Sequence, residues 1–298
     1  MEPQVAEALA VLDGHPDYRI LRRLKTPDGF YNAATGLPVK RGIYLDCEAS
    51  SAEPQVAGLY ELALVPFLYE TGGKLLAIRE DQCVSFLNDP GVPITDEIRS
   101  LTGIAPEDIV GKSLDMPLIE TVLADVDMVV AHNAGYDRKL IERYVSRFRD
   151  LRWACSWHDV PWRSAFHAPV EKLEVIAHFC GNVFYGAHRA MIDCIAGVHV
   201  LATVSDSDGK TAFEYLEESC FTESLRIWAT GAPFETKDAL RNRGYRWNDG
   251  RDGRPKAWHK MITPSEADEE NQWLRVHCGA YPRVTEIRAE DRFSDRDR

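Results

Sequence analysis

The stretch GIYLDCE, residues 42–48, decides how the chain is read. A β-favouring run, Ile43-Tyr44-Leu45, passes directly into two carboxylates, Asp46 and Glu48, spaced two apart. On a strand, side chains alternate between faces, so Asp46 and Glu48 point to the same side of a sheet. Two acids sharing a buried face repel each other, and both also lose hydration. Unless a divalent cation lies between them, one of them must hold its proton to unusually high pH. Many strands end in two solvated acids, so the pair alone establishes little.

Working outward, GLYELALVPFLYE (58–70) and KLLAIRE (74–80) are further β-favouring runs, separated by Ser, Glu, Pro and Gly. They predict a three-stranded meander opening a mixed sheet. DEIRSLTGI (96–104) and LIETVLADV (118–126) read as helices, and VDMVVAH (126–132) as a short buried strand. YDRKLIERYVSRF (136–148) reads as one amphipathic helix with Leu140, Ile141, Tyr144 and Phe148 on its apolar face. EKLEVIAHFC (171–180) and AMIDCIAGVHVLATV (190–204) are two more helical patterns, joined through FYGAHR (184–189). The tryptophan-rich insertion around PWRSAFHAP (161–169), with Trp153, Trp157 and Trp162, reads as packing. The expected organisation is a lead-in over residues 1–40, including the turn-rich TPDGFYNAATGLP, and an α/β catalytic domain over 41–220.

Beyond Ser224 the texture changes. Between Arg226 and Lys260 nine Lys and Arg face four Asp and Glu, whereas the whole chain carries a net charge of −12. KDALRNRG (237–244) predicts a short helix closed by Gly244, and YRWN-DGRDGRP-KAWHKMI (245–262) predicts a hairpin. This small basic α+β module, 224–262, is followed by a charged tail, 263–298, expected to fray towards EDRFSDRDR. Tyr245, Trp247 and Trp258 are candidates for stacking on unpaired bases, although tryptophans in so small a unit serve equally well as its core.

Seven scattered cysteines without a C-x-x-C pair read as reduced thiols, not as a zinc site or disulfide framework. No signal peptide or membrane-spanning run is visible, and a cytoplasmic protein without membrane association is expected. The acidic balance argues against a protein that merely coats nucleic acid. It is compatible with an enzyme whose carboxylates gather metal ions, because the cations then supply the charge that meets phosphate.

Three further residues qualify for that site. Asp137 follows the strand VDMVVAH and the tripeptide Asn133-Ala134-Gly135, at the start of a helix; a plain helix-start acid with Asn133 as cap would look the same. Asp193 lies on an apolar helix face, where a carboxylate requires a partner. His188 stands five residues earlier, in the loop entering that helix.

YLDCE, AHNAGYD and GAHRAMID, in this order, resemble the three motifs of the DEDD exonuclease superfamily: D-x-E, H-N-x-x-[FY]-D and H-x-x-x-x-D. The last marks the histidine subtype, similar to the proofreading epsilon subunit of bacterial DNA polymerases. A tyrosine subtype would need Tyr where this chain has Arg189. The resemblance covers roughly residues 41–205, including ITDEIRSLTGIAPEDI (94–109). It implies an RNase H-like mixed sheet flanked by helices and two Mg²⁺ or Mn²⁺ ions held by Asp46, Glu48, Asp137 and Asp193. It further implies His188 as general base and a 3′→5′ exonuclease releasing nucleoside 5′-monophosphates. Asn133 and Ala49 would lie near the terminal nucleotide; the family commonly has Thr or Ser at the second position, and Ser50 and Ser51 follow it here. The expected partner is nucleic acid with a free 3′ end, single-stranded and preferably DNA. The alternatives are an exoribonuclease and a non-catalytic binding module or polymerase accessory, for which Trp273 and Leu274 of the tail would be the anchors.

Overall fold

The computed structural model describes residues 3–13, 15–25, 31–251 and 253–296. Part of the turn-rich run, Thr26 to Phe30, together with Asp252 of the predicted hairpin loop and the last two residues, lies outside them. The chain divides into two compact units, Met1–Glu218 and Ser219–Arg298.

The first unit begins with α1 (Pro3–Leu12), β1 (Arg22–Arg23), β2 (Val39–Ala49), β3 (Leu59–Glu70), β4 (Lys74–Ile78) and β5 (Val84–Leu87). It continues with α2 (Asp96–Thr102), α3 (Pro106–Ile109), α4 (Met116–Val122), β6 (Met128–Ala131), α5 (Ala134–Ile141) and β7 (Trp153–Cys155). Then come α6 (Trp162–Ala165), α7 (Leu173–Phe179), β8 (Val183–Phe184), α8 (Ala190–Leu201) and α9 (Ala212–Phe221), which crosses the boundary. The main sheet has the order β4-β3-β2-β6-β7, with β5 also paired to β3. β2, β3 and β4 form the expected antiparallel meander, while β2, β6 and β7 run parallel. This is the mixed, helix-flanked sheet of an RNase H-like fold. β3 buries two carboxylates, Glu61 and Glu70, among its apolar residues, and α8 packs against it.

α8 approaches β2 closely because Gly197 leaves room for Tyr44. A Cβ at Gly197 would lie 2.0 Å from Tyr44 Cζ, in a fully buried ring. Gly197→Ala is therefore expected to overpack this contact and destabilise the unit by about 1–3 kcal/mol or more, read as a lowered urea midpoint. An unchanged midpoint would mean that α8 is not seated on β2 through this contact.

Several elements differ from the sequence-based expectation. The helix predicted over 136–148 ends at Ile141, because Tyr144 turns towards β3 and its hydroxyl accepts the Leu59 N–H at 2.9 Å. Arg138 on α5 is fully buried, with its Nε 2.7 Å from Glu142 Oε1 and its guanidinium over the Trp153 ring. β5 and β7 are absent from the sequence-based reading; at four and three residues they are too short to show a period. The lead-in belongs to the first unit, since Arg22 and Arg23 of β1 pair with Val183 and Phe184 of β8. Trp153 and Trp162 are packed as predicted, whereas Trp157 is 39% exposed.

The second unit contains β9 (Ser224–Thr230), α10 (Lys237–Asn242), β10 (Arg246–Trp247), β11 (Trp258–Ile262), α11 (Ala267–Cys278) and β12 (Tyr281–Ile287). Its sheet is antiparallel in the order β10-β11-β9-β12. The charged tail, 263–298, is built into this unit; within EDRFSDRDR, where fraying is expected, Arg292 and Ser294 are buried, and residues 297 and 298 lie outside the described residues. β12 pairs with β9 along its whole length, from Tyr281↔Thr230 to Ile287↔Ser224, and α11 buries Leu274 and Cys278 in the core. The net charge of the segment conceals this, because Glu270 of α11 is itself buried against Arg243 and Lys260, and β12 pairs with β9 through its backbone whatever its side chains. Trp273 packs against that core and stacks on Tyr245 and His277, so neither Trp273 nor Leu274 is a free anchor for a polymerase. Among the described residues no helix is long and apolar enough to cross a membrane.

Candidate active site

The period of β2 does what the sequence required: Asp46 stands opposite Ala63, and Glu48 opposite Glu61, in the register with β3. Parallel to β2, β6 ends at Ala131, and the chain turns at Asn133 into α5, whose first turn carries Asp137. Asp137 is 4% exposed and accepts the backbone N–H and the thiol of Cys47, which ties it to β2 between the two motif acids. Asp193 sits in the first turn of α8 and is 8% exposed. Asp46, Glu48 and Asp193 each offer one carboxylate oxygen, and these oxygens all lie within 4.8 Å of one another.

Such crowding has an electrostatic cost. Burial, followed by the charges of Asp137, Asp193, Glu48 and Glu61, holds the Asp46 carboxyl well above its ordinary range. Burial and then Asp193, Glu61 and Asp137 push Glu48 up to about 8, with Arg189 pulling the other way. Burial raises Asp137 to about 7, against its N–H donors. Asp193 is raised by burial as well, and is partly relieved by the Arg189 N–H, the Tyr185 hydroxyl and His188. The donor set is all oxygen and is short of positive charge, which is the chemistry that hard divalent cations satisfy.

Three residues around the cluster lie outside the motif reading. Glu61, 2% exposed, is held by Arg189 Nε at 3.0 Å, the Ala190 N–H at 3.2 Å and the Ser85 hydroxyl at 2.9 Å. Tyr185 donates its hydroxyl to Asp193 Oδ1 at 3.1 Å, and the Arg189 N–H reaches Asp193 Oδ2 at 3.0 Å. Arg189, which in the sequence does no more than exclude a tyrosine subtype, thus fastens the start of α8 to β3. A sequence signal for Glu61 exists, since it is an acid placed inside an apolar strand run, unlike Glu70 at the run's end; Tyr185 offers none.

His188 is exposed and has a left-handed backbone, φ 67°, in the turn that enters α8. Asn133 takes the cap position of α5, but its side chain makes no capping bond there and stays half-buried. At Ala49 the β2–β3 register shifts by a bulge. Both following hydroxyls accept a loop N–H: Ser50 Oγ that of Gly58 at 2.8 Å, and Ser51 Oγ that of Glu53 at 3.1 Å. His132, before Asn133, is fixed by Ser156 Oγ at 2.9 Å and the Glu171 carbonyl at 2.8 Å, and burial lowers it to about 4. The same Ser156 hydroxyl meets Tyr44 OH at 2.8 Å, so the ends of β6 and β7 are keyed to β2.

Of the second unit's aromatic candidates, Tyr245 is a correction. Its ring is 2% exposed and its hydroxyl is donated to Glu270 Oε2 at 2.8 Å, which makes it core and removes it from any stacking surface. Trp247 is 51% exposed and lies edge-on to Trp258, its cross-strand neighbour, at 5.8 Å.

No curated protein matches the sequence. Solved structures that the chain matches include the zinc-bound E. coli ExoI complex with single-stranded DNA, at 12% identity and TM-score 0.49, covering 77% of this chain and 67% of that one. Others are exonuclease X in complex with 5′-overhanging duplex DNA (20%, TM-score 0.38, 59% and 98%) and cell-death related nuclease 4 (14%, TM-score 0.44, 85% and 82%). The sequence model of the RNase T family, described as exonuclease, matches residues 43–201, more than half of the chain and the part that contains Asp46, Glu48, Asp137, His188 and Asp193. With the acids of its three motifs gathered from β2, α5 and α8, the chain belongs to the RNase T exonuclease family within the DEDD superfamily.

Proposed function

We propose that this protein is a 3′→5′ exonuclease that removes nucleoside 5′-monophosphates from single-stranded ends, preferably of DNA, with divalent Mg²⁺ or Mn²⁺. The observation that carries the reading is the carboxylate cluster, in which half-buried Asp46 and Glu48 and buried Asp193 place oxygens within 4.8 Å of one another. Asp46, Glu48 and Asp193 would hold one cation, and Asp137 with Asp46 a second. Bound there, the metal supplies the charge that offsets the attacking and leaving oxygens at phosphorus.

The protein's own groups do the rest. Tyr185 and the Arg189 N–H each occupy one oxygen of Asp193, which fixes its rotamer while leaving lone pairs for a ligand. His188, exposed at the mouth of α8, takes the proton of the attacking water as the new oxygen–phosphorus bond forms. The bond between phosphorus and the 3′ oxygen breaks and that oxygen takes a proton from solvent, giving a 5′-monophosphate and a shortened chain with a free 3′-OH. A DNA preference is supported by Ala49, which brings no side-chain hydroxyl to the end of β2 where the family's Thr or Ser would stand to meet a ribose 2′-OH.

Timed digestion of matched 5′-labelled DNA and RNA oligonucleotides with Mn²⁺, beside an EDTA control, tests the reading. A metal-dependent ladder shortening from the 3′ end is expected, faster on DNA. A faster RNA ladder would reverse the substrate preference, and a folded protein that yields no ladder would overturn the nuclease reading.

The raised carboxylates also set a pH dependence. In the unfolded chain these acids lose their protons near pH 4, whereas in the fold Asp137 and Glu48 keep theirs to about 7 and 8. Between those limits the folded state binds more protons than the unfolded one, so the stability of EDTA-treated protein should fall as pH rises from 5 to about 8. Added Mn²⁺ should cancel the fall, and its apparent affinity should climb over the same window as it displaces protons. Thermal unfolding across that pH range, with and without metal, reads both effects; parallel curves would mean that the acids do not share a metal site.

A further inference from the structure

Directly after Glu48 and Ala49 the chain leaves β2 in a loop, residues 50–58, and returns as β3 at Leu59. The segment that carries Asp137 holds this loop by its backbone. Tyr136, next to Asp137 in the first turn of α5, donates its hydroxyl to the Ser51 carbonyl. Arg143, just beyond the end of α5, donates Nη1 to the Pro54 and Ala57 carbonyls, each at 2.7 Å. Tyr144 completes the row, its hydroxyl accepting the Leu59 N–H at 2.9 Å. Arg138 and Arg189 face carboxylates, Glu142 and Glu61. Arg143 differs: among the described residues it has no carboxylate partner, and its planar fork serves to join two points of the loop to the end of α5.

The arrangement matters for Asp137. Asp46, Glu48 and Asp193 place oxygens within 4.8 Å of one another, and Asp137 stands outside that set. One strand fixes Asp46 and Glu48 to each other, whereas Asp137 belongs to a different element, so its distance from them depends on how α5 is seated. Leu140 and Ile141 bury the apolar side of α5. Apolar burial is non-directional, however, and leaves the helix free to slide or turn by small amounts. Hydrogen bonds with fixed donors and acceptors remove that freedom. The Cys47 N–H and thiol supply one such tie, directly on Asp137, and the contacts of Tyr136, Arg143 and Tyr144 with the loop and the start of β3 supply the others.

We propose that Arg143, together with Tyr136, is a positioning residue for the second cation: by fastening the loop after Glu48 to the helix that carries Asp137, it sets the separation of Asp137 from Asp46. The inference deepens the two-cation reading of the site and rests on it. Arg143 acts through Asp137 and not by contact with the substrate.

Calorimetric titration of the full chain with Mn²⁺ tests this, beside turnover of a 5′-labelled oligothymidylate at limiting and at saturating Mn²⁺. The parent is expected to bind two ions. Arg143→Ala should weaken one of them by about 10- to 100-fold, the usual effect of losing a group that orients a metal ligand, and leave the other close to the parent's. Tyr136→Phe, which keeps the ring and removes only the hydroxyl, should act in the same direction. Arg143→Lys should regain much of the affinity, because an ammonium can also donate to two carbonyls. Turnover at limiting Mn²⁺ should fall with the affinity and return towards the parent's value at saturating Mn²⁺, a rescue that a merely weakened fold would not give. Because Arg143 is exposed, circular dichroism should show its variants folded. Parent-like affinity at both sites in Arg143→Ala and Tyr136→Phe overturns the proposal. An equal loss at both sites overturns it too, since the contacts would then be general supports of the domain. A parent that binds a single Mn²⁺ removes the two-cation reading itself, whereas a parent and variants that all bind two ions equally well remove only this inference.

Discussion

Asp46→Ala is expected to abolish turnover, with kcat lowered by at least about 10³-fold, since metal-borne charge stabilisation is worth several kcal/mol and each 1.36 kcal/mol is tenfold. No other side chain can replace it. Asp46 is the acid raised by all four of its neighbours, Asp137, Asp193, Glu48 and Glu61, and so lies at the centre of the cluster. Removing it deletes the oxygen that Glu48 and Asp193 meet within 4.8 Å. The fold should survive, because the change relieves buried like-charge repulsion; EDTA-treated Asp46→Ala should be no less stable than the parent at pH 8. Mn²⁺ binding by calorimetry, beside the rate, distinguishes the causes. A variant without metal affinity and without activity supports the assignment, and near-normal turnover would sink it.

His188→Ala should lower kcat by about 10²–10⁴-fold while metal and oligonucleotide affinities stay within a few-fold of the parent, the pattern of a missing general base. Its exposure means that little packing is removed. Its backbone, at φ 67°, adds a complication, because alanine is strained in that region by roughly 1–2 kcal/mol. His188→Asn is the better control, since asparagine tolerates the left-handed region while bringing no imidazole. If both variants lose the rate and keep the metal, the imidazole is the cause. A fall in Mn²⁺ affinity in both would make His188 a ligand, and a fall in Ala alone would point to a distorted entry into α8.

Much of the site is legible in the sequence because its chemistry is local. Asp46 and Glu48 share a face by the two-residue period of β2, and Asp137 follows a strand end into a helix start, a geometry that a few residues specify. The meander and α8 are legible for the same reason, as long apolar periods. What escapes are contacts between distant segments. Glu61 lies opposite Glu48 only through the β2–β3 register, and Arg189 reaches it only because α8 is seated on β3. The tail misleads for a related reason. Arg283, Glu286 and Arg288 dominate its composition, but Val284 and Ile287 stand opposite Ile227 and Ser224 in a formed sheet. Tyr245, a surface ring by its basic surroundings in sequence, is core because Glu270 of α11 receives its hydroxyl.

By itself the sequence determined which residues are the candidates for the chemistry, since motif acids and histidine are set by type and short spacing, and it determined a mixed sheet, since strand and helix periods are written in adjacent residues. Only the tertiary structure decided that the acids converge within reach of one ion, that Glu61, Tyr185 and Arg189 support them, and that Trp247 stays exposed while Tyr245 is buried. The reason is physical: burial and the meeting of charges depend on the packing of segments far apart in the chain, and a side chain's own neighbours in sequence do not fix what will cover it.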